Sequence, residues 1–254
     1  MKLLASDYDG TLFRNLKVSS KDIESIRKFR EEGNLFGIVT GRPFASIEHE
    51  LIKKKIPYDF IIGINGGYIE DKEKNVIFHK EISLEIADQL VAQIKKEDVQ
   101  FAAIGDGISN DVFIADKKLK TRLKKLYFQL FFKKKPRNPK LVRNFVTHVN
   151  QKQDSELLVK RLMNLFGDSI SCHRNRGMTI DISGSDVGKE KAVQIVKDHF
   201  SADEVYVIGD SYNDINMIEK FNGFTVTSAS EEIKSIASKV FANFTDLVNF
   251  ILER

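Results

Sequence analysis

Leu4-Ala5-Ser6-Asp7-Tyr8-Asp9-Gly10-Thr11 lies close to the start of the chain. A short apolar run ends in two carboxylates two residues apart, followed by a glycine. The pattern predicts a buried strand, Leu3 to Ser6, running into a turn. In a parallel α/β sheet the carboxyl edge of the strands is where ligands bind. There one acid can serve as a nucleophile and the other as a general acid/base. A polar turn cornered by Asp9-Gly10 would use the same residues, so the reading depends on what else reaches that edge.

Outward from this stretch, strand-like and helix-like segments alternate. Ser19 and Ser20 are N-cap candidates, and Ile23, Ile26 and Phe29 recur at helical spacing until Gly33, which suits the position just past a helix end. Leu35 to Val39 reads as a buried strand stopping at Thr40-Gly41-Arg42-Pro43, and Phe60 to Ile64 as another stopping at Asn65-Gly66-Gly67. The pattern resumes late in the chain. Lys189 to Phe200 is amphipathic, Val205 to Ile208 is a strand run ending in Gly209-Asp210, and Phe224 to Val226 and Val240-Phe241 are short strands. Alternation of this kind predicts an α/β fold, a parallel sheet wound by helical crossovers.

The middle of the chain differs. Its strand candidates, Phe101 to Ile104, Val112 to Ile114, Val146 to Val149 and Thr179 to Ile182, are separated by irregular gaps. The expectation is a core of residues 1–82 and 184–254 with an inserted α+β domain, 83–183, joined through polar linkers near Lys80 to Ser83 and Ser183 to Gly188.

Composition narrows the class. With 42% apolar and 30% charged residues, the chain has the make-up of a soluble globular protein. Cys172 is the single cysteine, so no intramolecular disulfide exists. No signal-peptide pattern and no membrane-length apolar run are present, and a cytoplasmic location without membrane partners is expected. The net charge of +4 is uneven: Lys117, Lys118, Lys120, Arg122, Lys124 and Lys125 cluster, and Lys133 to Lys135 and Arg137 follow. The simplest reading is a solvated helix face, with Phe128, Phe131 and Phe132 on its buried side; the alternative is an anion-attracting surface. No nucleic-acid motif accompanies the cluster, and no nucleic-acid partner is expected.

Three further motifs stand at the ends of the right elements. Thr40 can offer a hydroxyl and a backbone N–H to a phosphate oxygen, or can serve as a turn residue. Lys189 opens a helix, where the macrodipole disfavours a cation, unless a phosphate sits there or the side chain is simply solvated. Gly209-Asp210-Ser211-Tyr212-Asn213-Asp214 brings two more acids to the edge. Asp7, Asp9, Asp210 and Asp214 together would repel one another and raise their pKa values. A bound divalent cation resolves that, and hard oxygen ligands facing a phosphate point to Mg²⁺. No His/Cys cluster suggests zinc.

Taken in order, Asp7-Tyr8-Asp9-Gly10-Thr11, Thr40-Gly41-Arg42, Lys189-Glu190-Lys191-Ala192-Val193 and Gly209-Asp210-Ser211-Tyr212-Asn213-Asp214 resemble the four motifs of the haloacid-dehalogenase-like phosphatases. The α+β insert between the second and third motifs resembles the Cof-type branch with its type-two cap; Glu190 departs from the glycine this branch often has there. The resemblance implies a Rossmann-like doubly wound core, with a cap over a phosphatase site acting on a small phosphorylated metabolite: a sugar phosphate, nucleotide or phosphorylated cofactor. It implies Asp7 as the nucleophile that becomes the aspartyl-phosphate and Asp9 as the general acid/base. Mg²⁺ would be held by the side chains of Asp7 and Asp210 and the Asp9 backbone carbonyl, with Asp214 behind them. Thr40, Gly41, Lys189, Asn213 and the Tyr8 N–H would hold the phosphoryl group, and Arg42 and Asn65 end strands on the same edge. A phosphomutase would share the first step. A non-catalytic nucleic-acid-binding protein using the basic insert is the alternative from another class. In the insert, Arg174-Asn175-Arg176-Gly177 is expected to be a turn with solvated arginines rather than a substrate contact.

Overall fold

The structure is a computed structural model that describes residues 1–115, 138–175 and 178–254. The basic run from Lys117 to Arg137, and Arg176-Gly177, lie outside the described residues.

Two sheets organise the chain. The first has eight strands: β1 (Lys2–Asp7), β2 (Leu35–Val39), β3 (Phe60–Gly63), β4 (Tyr68–Asp71), β5 (Val76–His79), β11 (Glu204–Ile208), β12 (Phe224–Val226) and β13 (Lys239–Phe241). Their order is β13-β12-β11-β1-β2-β3-β4-β5, parallel from β13 through β3, with β4 and β5 added antiparallel. Strand order reverses at β1 and β11, which pair from Lys2↔Glu204 to Ser6↔Ile208. Asp7 and Asp210 therefore leave the sheet side by side at its switch point, where doubly wound sheets open a crevice.

Alternation along β1 shows why both faces are covered. Leu4 joins a core cluster with Phe36, Ile38 and Ile61 on one face, where α1 (Ser20–Glu31), α2 (Phe44–Lys54) and α8 (Phe244–Leu252) add Ile26, Phe29, Ile47, Leu51 and Leu247. Leu3 and Ala5 point the other way, to Ala192, Val193 and Val196 of α5 (Lys189–Phe200). Two short helices, α6 (Ile215–Lys220) and α7 (Glu231–Ile236), complete the wall near β12. Local signals behave as their chemistry predicts. The Ser19 hydroxyl accepts from the Asp22 N–H at 3.0 Å to cap α1, and Gly33, at φ +80°, ends it.

The second sheet is antiparallel, in the order β7-β6-β8-β10-β9: β6 (Val99–Gly105), β7 (Asn110–Ala115), β8 (Asn144–Val149), β9 (Ile170–Asn175) and β10 (Thr179–Gly184). Ile180 and Ile182 of β10 pack with Leu90 and Ile94 of α3 (Leu84–Ile94) and Leu158 and Leu162 of α4 (Lys152–Phe166). Cys172 packs against the same cluster, and burial pushes its thiol up to about 12. The intervening β10 residues, Asp181 and Ser183, are buried on the opposite face.

β9 is a correction to the sequence reading. Arg174 and Asn175 belong to this strand, not to a turn, and the Arg174 side chain is half-buried rather than freely solvated. Its guanidinium lies 5.5 Å from the Tyr212 ring centroid, and its Nη1 donates to Glu156 Oε1 at 2.9 Å. Among the described residues no helix is long and apolar enough to cross a membrane.

Candidate active site

Asp7 is the last residue of β1, held in register by β2 through Asp7↔Val39. Lys189, the first residue of α5, sends its side chain into the same crevice. It is 1% exposed, and its Nζ donates to Asp7 Oδ1 at 2.7 Å and to Asp214 Oδ1 at 2.6 Å. The solvated alternative for this lysine is therefore excluded. Asp7 and Asp214 also push the ammonium's pKa above its ordinary value, against the effect of burial.

Asp210 and Asp214 arrive on the loop after β11. Asp214 Oδ2 accepts the Asp210 and Ser211 N–H groups at 3.0 Å each, closing a capping box with Ser211 over the 3₁₀ turn Tyr212–Asp214. Thr11 Oγ1 donates to Asp210 Oδ1 at 2.8 Å, tying the end of the first motif to the fourth.

Asp7, Asp210 and Asp214 present carboxylate oxygens that all lie within 4.8 Å of one another. Among the described residues, the one ammonium of Lys189 bridges Asp7 and Asp214 within this group of three carboxylates. Burial, aided by Asp214 and Asp210, pushes the Asp7 carboxyl well above its ordinary range despite Lys189. Asp7 Oδ2 is a buried oxygen without a hydrogen-bond partner among the described residues. An orphaned buried oxygen inside a ring of hard carboxylate donors fits a divalent cation, which would satisfy the oxygen and balance the charge.

Asp9 sits differently from its neighbour in the motif. Its carboxylate lies outside the three-acid cluster and is gripped by Arg42: Nε donates to Oδ2 at 2.6 Å and Nη2 donates to Oδ1. Arg42, 9% exposed, is itself packed with its guanidinium 5.1 Å from the centroid of the Tyr8 ring. The Tyr8 side chain is wholly buried and directed at Glu50, so only its backbone remains to serve a ligand.

Thr40 and Gly41 follow β2, whose last residue, Val39, pairs with Asp7. The Thr40 N–H donates to Ile62 O at 2.8 Å, so the backbone donor expected of this residue is already engaged by β3 and its hydroxyl is what can meet a phosphate. Above Gly41, a Cβ would come within 2.8 Å of Asp181 Oδ2. Asn65, fully buried and left-handed at φ +54°, links the loops. Its N–H donates to Thr40 O at 2.9 Å, its Nδ2 to Asp181 Oδ2 at 3.0 Å, and its Oδ1 accepts from Asn213 Nδ2 at 2.9 Å.

Asp181 and His173 are the residues that sequence reasoning missed. They pair directly across β10 and β9, so their side chains share a face. Burial raises the Asp181 carboxyl to about 6, against the Asn65 hydrogen bond and the Lys189 charge. Burial, assisted by Lys189, lowers the His173 imidazole to about 4. The available signal was an acid standing between Ile180 and Ile182 on a strand whose apolar face was already assigned.

A family model for haloacid dehalogenase-like hydrolases matches residues 4–248. An uncharacterized protein of Mycoplasma capricolum subsp. capricolum is 26% identical over 245 residues, covering 87% of this chain and 88% of its own length. The 5-amino-6-(5-phospho-D-ribitylamino)uracil phosphatase YwtE of Bacillus subtilis is 25% identical over 253 residues, covering 86% and 85%. Among solved structures, the HAD subclass IIB sugar phosphatase BT4131 superposes with a TM-score of 0.81 at 24% identity, over 100% of this chain and 98% of that one. With four motifs converging on one sheet edge and a match spanning nearly its whole length, the chain belongs to the haloacid dehalogenase-like hydrolases, in their Cof-type branch.

Proposed function

We propose that the protein is a Mg²⁺-dependent phosphatase that hydrolyses a small phosphorylated metabolite through an aspartyl-phosphate on Asp7. The observation that carries this reading is the unpartnered, buried Asp7 Oδ2, set between Lys189 and the carboxylates of Asp210 and Asp214. Lys189 holds Oδ1 and so fixes the carboxylate plane. In-line attack by an Asp7 carboxylate oxygen forms the O–P bond and breaks the bond from phosphorus to the leaving oxygen. Asp9 gives that oxygen its proton and later takes one from the water that attacks phosphorus and releases Asp7. Arg42 sets the direction of the Asp9 carboxylate. The Thr40 hydroxyl, Gly41, the Tyr8 N–H, Lys189 and Asn213 surround the equatorial oxygens, and such sites act mainly by position and charge.

Asp7 and Asp210 are the side chains that would hold Mg²⁺, with the Asp9 carbonyl beside them and Asp214 supporting the loop. When bound, the ion supplies neutralising charge for the phosphoryl oxygens. The α+β insert of residues 83–183 acts as a cap, and the substrate is a sugar phosphate, nucleotide or phosphorylated cofactor in the cytoplasm. The names of the relatives, a sugar phosphatase and a ribitylaminouracil phosphate phosphatase, support that range.

The test is a panel of phosphorylated metabolites assayed with Mg²⁺, then with excess EDTA, for the wild type and D7N. Turnover of at least one ester is expected, lost reversibly in EDTA and absent in folded D7N, which removes the attacking charge without changing volume. A folded D7N protein with wild-type turnover refutes the mechanism.

A further inference from the structure

We infer that Asp181, carried on the antiparallel sheet, is a positioning residue of the catalytic centre: it orients the Asn65 amide and, through it, Asn213. The phosphate end of the site is then complete only when that sheet is seated. The inference rests on the phosphatase reading above and adds to it a residue from outside the four motifs.

The hydrogen bonds run in one direction. Ser211 Oγ donates to Asn213 Oδ1 at 2.7 Å, Asn213 Nδ2 to Asn65 Oδ1 at 2.9 Å, and Asn65 Nδ2 to Asp181 Oδ2 at 3.0 Å. A side-chain amide can turn over and exchange its donor and acceptor ends at little cost. An ionised carboxylate cannot; it only accepts. Asp181 is thus the member that gives the chain its direction: it draws the Asn65 NH₂ toward β10, which leaves Asn65 Oδ1 for Asn213. The Asn213 amide is thereby held at the end of the loop that carries Asp210 and Asp214.

The carboxylate is also placed closely. Asp181 Oδ2 lies over Gly41, where any Cβ would meet it at 2.8 Å and the Asn65 amide at 3.1 Å. Asn65, whose backbone is in the left-handed region and whose N–H is bound to Thr40 O, has little freedom to find another partner. A second contact seats the same sheet. The turn between β6 and β7 gives its carbonyls to the start of α2, which has no side-chain cap: Phe44 N–H donates to Gly107 O at 2.8 Å and Ala45 N–H to Ile108 O at 3.3 Å. The antiparallel sheet is thus held against the core at α2, through its β6–β7 turn, as well as at Asn65, through β10.

The test uses the full chain with Mg²⁺ and two probes that report only the phosphate end: the inhibition constant of inorganic orthovanadate and the KM and kcat of an aryl phosphate. D181A should weaken vanadate binding and lower kcat/KM for the aryl phosphate by about tenfold, the worth of one well-placed hydrogen bond. D181N, which keeps an acceptor, should fall between wild type and D181A. In N213A the effect of D181A should vanish, because the pathway through Asn65 ends there. Thermal melts establish folding, and D181S, which leaves room for a water, replaces D181A if that variant unfolds. Unchanged vanadate inhibition in folded D181A, a D181N loss equal to that of D181A, or additive losses in D181A/N213A would each overturn the inference while leaving the phosphatase intact. A wild-type protein that neither turns over esters nor binds vanadate overturns both.

Discussion

Substituting Lys189 by Met removes one charge from the middle of the acidic cluster while keeping nearly the same length and volume. Lys189 is 1% exposed and bridges Asp7 and Asp214 at 2.7 and 2.6 Å. Without it, the carboxylates of Asp7 and Asp214, which lie within 4.8 Å of each other and of Asp210, lose the ammonium that bridges them. Removing one partner of a buried ion pair costs roughly 3–5 kcal/mol. For a chain of this length each kcal/mol shifts Tm by about 2–4 °C, so K189M in EDTA should melt on the order of 6–20 °C below wild type at pH 8. The pH dependence has a defined sign. The folded pKa of Lys189 lies above its ordinary value, so its contribution is complete below pH 10.5 and does not change between pH 5 and 9. The Asp7 carboxyl is already pushed up, and losing Lys189 pushes it further. A raised carboxyl destabilises the fold above its folded pKa, and that cost recedes as pH falls toward the unfolded value. The K189M deficit should therefore shrink between pH 8 and pH 5. Added Mg²⁺ should return part of the lost stability by supplying charge, but not activity, because nothing then holds Asp7 Oδ1. Differential scanning calorimetry at both pH values, with EDTA and with Mg²⁺, reads each step. Equal melting temperatures for K189M and wild type at pH 8 in EDTA would refute the electrostatic account of the cluster.

The two first-motif acids should separate by leaving group: D9N is expected to lose roughly 10² to 10⁴-fold in rate on an alkyl phosphate and much less on an activated aryl phosphate, and equal losses on both would remove Asp9 from the acid role. The buried Asp181 should make stability pH-dependent. Its folded value of about 6 exceeds the ordinary 3.8, so ionisation costs about 3 kcal/mol above pH 7 and about half of that at pH 5. Since Asn does not titrate, the melting-temperature advantage of D181N over wild type should fall between pH 8 and pH 5 in EDTA; a constant difference would show that Asp181 does not titrate in that window.

The catalytic edge was legible along the chain because a parallel sheet writes itself locally. Strands buried on both faces read as continuous apolar runs, and the loops that follow them carry the ligand chemistry. Asp7, Thr40 and Asp210 could be assigned to one edge from the runs Leu3 to Ser6, Leu35 to Val39 and Val205 to Ile208, which form β1, β2 and β11 with ends within a residue or two. The insert was less readable. β9 carries Cys172, His173 and Arg174 in succession, with no apolar alternation, and its stability comes from pairing with β10, not from its own pattern. Arg174 looks like a solvated residue until Tyr212 and Glu156 are placed beside it.

Two relationships at the site depend wholly on tertiary structure. The Arg42 guanidinium grips Asp9, 33 positions earlier in the chain, and Asp181 accepts from Asn65 across 116 positions. Residue type and local period say that each of these side chains is polar and where along an element it stands. Which partner it meets is decided by the pairing of β1 with β2 for Asp9 and Arg42, and by how β10 lies over the ends of β2 and β3 for Asp181 and Asn65. A carboxylate in water needs no particular partner, whereas one enclosed between two sheets must find a donor, and only the packing of those sheets determines which donor is within reach.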